Sequence, residues 1–303
     1  MSSSKVTAVE LAARKFKGPK IVAVTTYDAT FARLIDAAGV DVLLVGDSLG
    51  MAVQGHENTL PVTVDDIVYH SRAVARTHPR AHICGDLPFL SYQVSVEQAV
   101  LSAGRLLKEG GCESVKLEGG AVFADRVAAM VSSGIPVMGH LGLTPQSVHV
   151  LGGFRVQGRD EASQAKLLED ALALTQSGVF AIVLEGIPCE LAQRITRAVS
   201  VPTIGIGAGP HCDGQVLVCY DLLGLETTIR PKFVRRYAEL GQAAIAATSA
   251  YVQDVRSGAF PSEEHCYSAQ PHARRPQPTL PDGAGLTAEQ LHIGAFPSRE
   301  PGT

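Results

Sequence analysis

Eight short runs of β-branched and other apolar residues recur along the chain: Ile21–Thr25, Val42–Gly46, Ala81–Gly85, Ser114–Leu117, Ile135–Gly139, Phe180–Leu184, Val201–Gly205 and Gln215–Cys219. Each predicts a strand. Between most of them the apolar positions change to a helical period, as at Phe31, Leu34, Ile35 and Ala38, where Gly39 supplies the stop. Thr63-Val64-Asp65-Asp66 carries the Thr cap and acidic first turn of a helix start, and Glu161–Ser177 predicts a long helix. Strands alternating with helices in this number predict a (β/α)8 or TIM barrel, whose site collects at the carboxyl ends of the strands. Just past the runs stand Tyr27, Asp47, Asp86, Glu118, His140, Glu185, Gly207 and Asp221. A barrel would bring those acids and bases to one mouth, which is an enzyme's layout.

Two long connections interrupt the alternation. Leu49 to Pro61 is Gly-rich, and Leu141 to Asp160 contains Gly152-Gly153-Phe154 and Gly158; both are candidate lids or binding loops. Gly205-Ile206-Gly207-Ala208-Gly209 lacks the spacing of a dinucleotide fingerprint and predicts a tight turn. Asp213-Gly214 is a turn before the eighth strand, and Pro231 to Val255 is a closing helical region. The start of the chain is Ser-containing and basic, but Val6 to Lys15 reads better as a short amphipathic helix containing Glu10 than as a transit peptide. From 268 to 303 prolines accumulate and large apolar residues become scarce, so a disordered tail is expected after a catalytic barrel domain of residues 1–267. Gly258-Ala259-Phe260-Pro261-Ser262-Glu263-Glu264 reappears as Gly294-Ala295-Phe296-Pro297-Ser298-Arg299-Glu300. Chance accounts for so short a match; the alternative is a tail copy that occupies the groove of the first.

The length of 303 residues leaves room for a barrel of about 250 residues and one appendage. A formal charge of −4 favours neither nucleic acid nor an anionic membrane as partner. No apolar run reaches the roughly 20 residues of a membrane span. The six cysteines form no CxxC pair. They read as reduced packing residues of a cytoplasmic protein rather than as zinc ligands or disulfides.

Asp47, Asp86 and Glu118 close the second, third and fourth strands. Three carboxylates in one low-dielectric cup need a compensating cation, and a sparse oxygen set that leaves room for water suits Mg²⁺ better than zinc. Any one of these acids alone could instead cap the helix that follows it. Lys116 shares a strand face with Glu118, and an inward lysine is costly unless it meets an anion, such as a substrate carboxylate beside the metal. Its alternative is to extend its ammonium to solvent. Glu185 ends the apolar run of strand six across the barrel, sheltered and flanked by Gly186, as a general base would be. His140 is placed to hydrogen-bond substrate or relay a proton; a structural hydrogen bond accounts for it equally well.

Several motifs, in order and spacing, resemble the ketopantoate hydroxymethyltransferase family. They are Thr26-Tyr27-Asp28, Val45-Gly46-Asp47-Ser48-Leu49-Gly50-Met51, Gln54-Gly55-His56, Thr59-Leu60-Pro61-Val62-Thr63, Asp86-Leu87-Pro88-Phe89 and Val115-Lys116-Leu117-Glu118-Gly119-Gly120. Further along come Gly139-His140-Leu141-Gly142-Leu143-Thr144-Pro145-Gln146, Gly153-Phe154-Arg155-Val156-Gln157-Gly158-Arg159, Leu184-Glu185, Ile204-Gly205-Ile206-Gly207-Ala208-Gly209 and Asp213-Gly214-Gln215. The resemblance implies a (β/α)8 barrel and Mg²⁺-dependent transfer of a one-carbon unit from 5,10-methylenetetrahydrofolate to 3-methyl-2-oxobutanoate, giving 2-dehydropantoate for pantothenate and coenzyme A synthesis. It also implies a metal site at Asp47, Asp86 and Glu118, direct or through water, oxoacid contacts at Asp47, Ser48, Asp86 and Lys116, and Glu185 as proton acceptor. Large homo-oligomers, commonly decamers of two stacked pentamers, belong to the same implication. The chain departs from the family pattern at Gly186, in the less regular Gly224-Leu225-Glu226-Thr227, and in its tail. Two rivals stand beside it: an Mg²⁺-dependent C–C lyase or phosphonomutase on the same barrel, and an inactive oligomeric scaffold. The absence of a catalytic-cysteine loop argues against the first, and the joint presence of Asp47, Asp86, Lys116, Glu118 and Glu185 against the second.

Overall fold

The computed structural model describes residues 4–15, 17–226 and 231–267. The expected Pro-rich tail and its repeated segment lie outside the described residues. Strands β1 (Ile21–Thr25), β2 (Val42–Val45), β3 (His82–Asp86), β4 (Ser114–Glu118), β5 (Val137–Gly142), β6 (Ala181–Glu185), β7 (Thr203–Ile206) and β8 (Gly214–Leu217) pair in parallel, each with its neighbour in sequence. β8 closes on β1 through Ile21↔Gly214 to Val24↔Leu217. The sheet is therefore a closed (β/α)8 barrel.

Helix α1 (Ala8–Ala13) precedes β1, and α2 (Ala29–Ala37) follows it. The connection after β2 holds α3 (Leu49–Ala52) and α4 (Val64–Ala75); α5 (Val96–Lys108) follows β3 and α6 (Ala124–Ser132) follows β4. The long connection after β5 contains a 3-10 turn at Pro145–Ser147 and α7 (Val148–Leu151) before α8 (Glu161–Gln176). Next come α9 (Cys189–Ala198) after β6, α10 (Cys219–Leu222) after β8, and α11 (Leu240–Ser257). Helix starts follow the polar signals in the sequence. Reciprocal caps join Thr7 to Glu10 and Thr63 to Asp66, while the Asp28 carboxylate accepts from the first backbone N–H groups of α2.

Strand alternation sorts the side chains into two layers. Leu43 and Val45 of β2 face outward into the shell of helices with Ile67, Leu106, Val115, Leu117, Leu174, Leu184 and Ile195. Val42 and Leu44 face inward with Ile21, Ala23, Cys84, Met138, Val183, Ile204 and Val216, and Val6 and Leu11 join them from the N-terminal segment. The same alternation gives inward series of His82, Cys84 and Asp86 on β3 and of Ser114, Lys116 and Glu118 on β4. Each series runs from the amino end of the barrel to its mouth.

Three expectations need adjustment. Asp86, Glu118, His140 and Glu185 belong to the strands rather than following them, because the neighbouring ladders reach that far: Leu87 N–H donates to Lys116 O and Gly119 N–H to His140 O. The eighth strand ends at Leu217, and Asp221 lies within α10. The closing helix begins only at Leu240; before it, Tyr237 and Leu240 donate backbone hydrogen bonds to Leu222 and Leu223. The described residues divide into two compact units, one up to Gly241 with the barrel and one from Gln242 onward. In the second, Phe260 packs edge-on against Tyr251 and His265. All six cysteines are free, with Cys84, Cys112, Cys212 and Cys219 buried. Among the described residues no helix is long and apolar enough to cross a membrane.

Candidate active site

Parallel register sets the partners at the mouth. Asp86 lies beside Lys116, Glu118 beside His140, and Gly142 beside Glu185. The Lys116 ammonium meets Asp86 Oδ1 at 2.9 Å and lies 3.4 Å from His140 Nδ1. The other Asp86 oxygen accepts from the Asp47 backbone N–H at 3.0 Å. Gly46 makes that approach possible, since a Cβ there would stand 2.9 Å from Ser48 Oγ and 3.2 Å from Asp86 Oδ2. His140 bridges two acids, with Nδ1 3.5 Å from Glu118 Oε1 and Nε2 3.2 Å from Glu185 Oε2. Ser48, next to Asp47, shares a 2.8 Å hydrogen bond with the Tyr27 hydroxyl. Tyr27, Asp47, Ser48, Asp86, Lys116, Glu118, His140 and Glu185 are thus gathered at one end of the barrel, whereas among the described residues no contact joins Asp221 of α10 to them.

Glu185 is placed by its backbone. Leu143 N–H donates to Glu185 O at 2.8 Å, and Gly142 has φ +97°. A Cβ on Gly142 would stand 2.2 Å from that same oxygen, so only glycine fits.

Asp47, Asp86, Lys116, Glu118 and His140 are each between 3% and 5% exposed. Burial raises the Asp47 pKa, and the carboxylates of Asp86 and Glu118 push it the same way against Lys116 and Gln146. Burial also raises Asp86, with Lys116 opposing. For Lys116, burial works against the charged form, but Asp86, Glu118 and Asp47 outweigh it and its pKa goes up. Burial and Lys116 oppose a charged His140, yet the carboxylates of Glu118 and Glu185 beside its two nitrogens prevail and carry it up to about 9. Four acids, Asp47, Asp86, Glu118 and Glu185, thus stand around two basic groups, Lys116 and His140.

That surplus of negative charge fits a divalent cation. Asp86 Oδ1 fits it too: although close to the ammonium, it is buried and makes no hydrogen bond of good geometry. The three expected ligands do not form a ready cage, however. Among the described residues no three His, Cys, Asp or Glu side chains are grouped to hold a metal ion. Asp47 Oδ2 is engaged by Gln146 Nε2 at 2.8 Å, and Glu118 Oε2 by the Gln146 backbone N–H at 2.9 Å. Asp47 and Glu118 therefore each have one oxygen engaged by Gln146.

The sequence of residues 5–263 matches the model of the family described as ketopantoate hydroxymethyltransferase. The chain belongs to the ketopantoate hydroxymethyltransferase family. It is 58% identical over 264 residues to the 3-methyl-2-oxobutanoate hydroxymethyltransferase of Moorella thermoacetica, covering 87% of this chain and 98% of that one. It is 52% identical to the enzyme of the same name from Geobacter metallireducens, covering 87% and 99%. Solved structures share the fold at low identity. A 2,3-dimethylmalate lyase of the PEP mutase/isocitrate lyase superfamily superposes with a TM-score of 0.54 at 17% identity, covering 86% of this chain and 91% of that one. Phosphonopyruvate hydrolase in complex with oxalate and Mg²⁺ superposes with a TM-score of 0.57 at 13% identity, covering 86% and 93%.

Two members of this family site carried no signal of their chemistry in the sequence. Gln146 is buried in the connection after β5, and Tyr92, 1% exposed, lies in the connection after β3. The Tyr92 hydroxyl is 2.8 Å from Glu118 O and 2.9 Å from Gln146 Oε1, and it accepts from Glu118 N–H at 3.2 Å. Gln146 closes a family motif, but a neutral side chain in an irregular connection follows no period that would mark it.

Proposed function

We propose that this chain transfers a hydroxymethyl unit from 5,10-methylenetetrahydrofolate to C3 of 3-methyl-2-oxobutanoate, giving 2-dehydropantoate, and that Asp47, Asp86 and Glu118 would hold the Mg²⁺. Family membership and relatives that bear this enzyme's name support the reaction. The observation that supports the mechanism is the line of contacts Asp86–Lys116–His140–Glu185, in which a lysine suited to an anion and a carboxylate suited to act as base stand on either side of His140. Lys116 and Ser48 would receive the substrate's carboxylate beside Asp47 and Asp86, and Lys116 supplies the charge that burial there requires. When bound, Mg²⁺ would supply Lewis-acid polarisation of the 2-oxo group. Glu185 takes the C3 proton, and the His140 imidazolium stabilises its carboxylate through the 3.2 Å contact. The C3 electron pair then bonds to the folate methylene carbon as the first of that carbon's two C–N bonds breaks and the freed nitrogen takes a proton; water then displaces the second nitrogen, giving its oxygen to the hydroxyl and a proton to tetrahydrofolate.

Two further parts of the reading are family-based. Self-association, as a homodecamer, agrees with the exposed Ile245, Tyr251 and Val255 of α11. A cytoplasmic setting agrees with six free thiols.

The test is formation of 2-dehydropantoate from the two substrates with and without Mg²⁺, together with exchange of the oxoacid C3 proton in D2O when folate is omitted. Metal-dependent product and exchange are expected. Exchange without product would leave Glu185 as base but remove folate as the donor; neither would overturn the reading.

A further inference from the structure

Gln146 is the most fully engaged side chain near the mouth, and it joins two of the acids assigned to the cation. Its Nε2 donates to Asp47 Oδ2 at 2.8 Å and to Leu87 O at 2.9 Å. Its Oε1 accepts from the Tyr92 hydroxyl at 2.9 Å and from Gln93 Nε2 at 3.2 Å. Its backbone N–H donates to Glu118 Oε2 at 2.9 Å. The amide has one sensible orientation. Turned over, it would set Oε1 against a carboxylate and a carbonyl, acceptor against acceptor, and its NH2 against the amide of Gln93. An amide is also a suitable group here: it fixes one oxygen of Asp47 without cancelling the carboxylate's charge, whereas a lysine or arginine would neutralise it and compete with a cation.

We propose that Gln146 is a positioning residue that sets the divalent-cation affinity of the mouth by orienting Asp47 through its side chain and Glu118 through its backbone. This rests on the assignment of those acids to Mg²⁺. Tyr92 braces both partners: its one hydroxyl proton lies between Gln146 Oε1 at 2.9 Å and Glu118 O at 2.8 Å, and its oxygen accepts from Glu118 N–H at 3.2 Å. Partners that orient metal-binding side chains from behind commonly govern affinity without touching the ion.

The experiment is titration of the metal-free full chain with Mn²⁺, followed by electron paramagnetic resonance, for the parent, Q146M, Y92F and the double variant. Q146M keeps the backbone N–H to Glu118 and a similar volume, and should weaken Mn²⁺ binding about 10-fold or more. Y92F should weaken it less, and in the Q146M background should keep only the part of its effect that runs through Glu118. The activity lost in Q146M should return as Mg²⁺ is raised, a rescue that a merely misfolded site would not show. Unchanged Mn²⁺ affinity in Q146M would overturn the role of Gln146. A parent chain that binds no Mn²⁺ would overturn the metal assignment beneath it. If Q146M does not fold, Q146A decides in its place, because it removes the same amide and leaves Tyr92 and the backbone N–H to Glu118 where they are.

Discussion

The two ends of this barrel both bury charge, and they settle it in opposite ways. At the amino end each cation has its own partner. Lys15, capped over by the N-terminal segment, donates to Asp213 Oδ2 at 2.8 Å and to Thr196 O at 2.6 Å. The same Asp213 oxygen accepts from Thr203 N–H, and Thr203 and Thr196 share a hydroxyl hydrogen bond. Lys5 pairs with Glu113 and Arg14 with Asp41. At the mouth the acids outnumber the cations, and Asp47 and Asp86 are held above their ordinary pKa. A balanced end holds a fold together; an unbalanced one is poised to take up a cation and a substrate. In a parallel barrel the chemistry belongs at the strands' carboxyl ends, and the charge balance here divides the same way.

The largest expected break in that comparison is E185Q. Removing the base while keeping its shape should lower kcat by about 10³-fold, as loss of a general base does, and leave the thermal midpoint nearly unmoved. Steady-state kinetics with a melting curve checks both halves; a normal rate would remove Glu185 from the mechanism. K15M is its mirror. It leaves Asp213 facing Thr203 without its ammonium and should cost about 3 kcal/mol in urea unfolding, because an acid left unpaired in a buried pair is expensive. The KM for oxoacid should stay as it was. A change in KM without a loss of stability would show that the two ends are not separate in function.

Much of this was legible in the sequence, for a physical reason. A strand buried on both faces still alternates, so Lys116 and Glu118 had to share a face, and a closed barrel makes that face inward. What was hidden depends on contacts between distant parts of the chain. Asp213-Gly214 reads as a turn, and nothing local shows that its carboxylate will receive Lys15. Gln146 reads as one polar residue of a loop, although it lies on Asp47 and Glu118. Local patterns fix which way a side chain points along a strand; they do not name its partner across the barrel.

His82 and His140 sharpen the comparison most finely, since one residue type meets both environments. His140 at the mouth has an acid at each nitrogen and a pKa carried up to about 9. His82 lies inward at the amino end, 1% exposed, with Nε2 2.8 Å from Ser114 Oγ and no hydrogen bond to Nδ1. Burial drives its pKa down to about 4; Glu113, 3.6 Å away, opposes this, and Lys5 on the same carboxylate reinforces it. A depressed pKa means that the unfolded chain takes up the proton first. The stability tied to a neutral His82 is therefore complete above the unfolded value of about 6.5 and is lost as pH falls toward 4, by up to about 3 kcal/mol. Between pH 7 and pH 5 the parent should lose about 2 kcal/mol more in urea unfolding than H82Q, which has no imidazole to protonate. Parallel pH profiles for the two would mean that the amino end tolerates a charged ring after all. The contrast between its one-to-one pairing and the surplus at the mouth would then be a matter of degree.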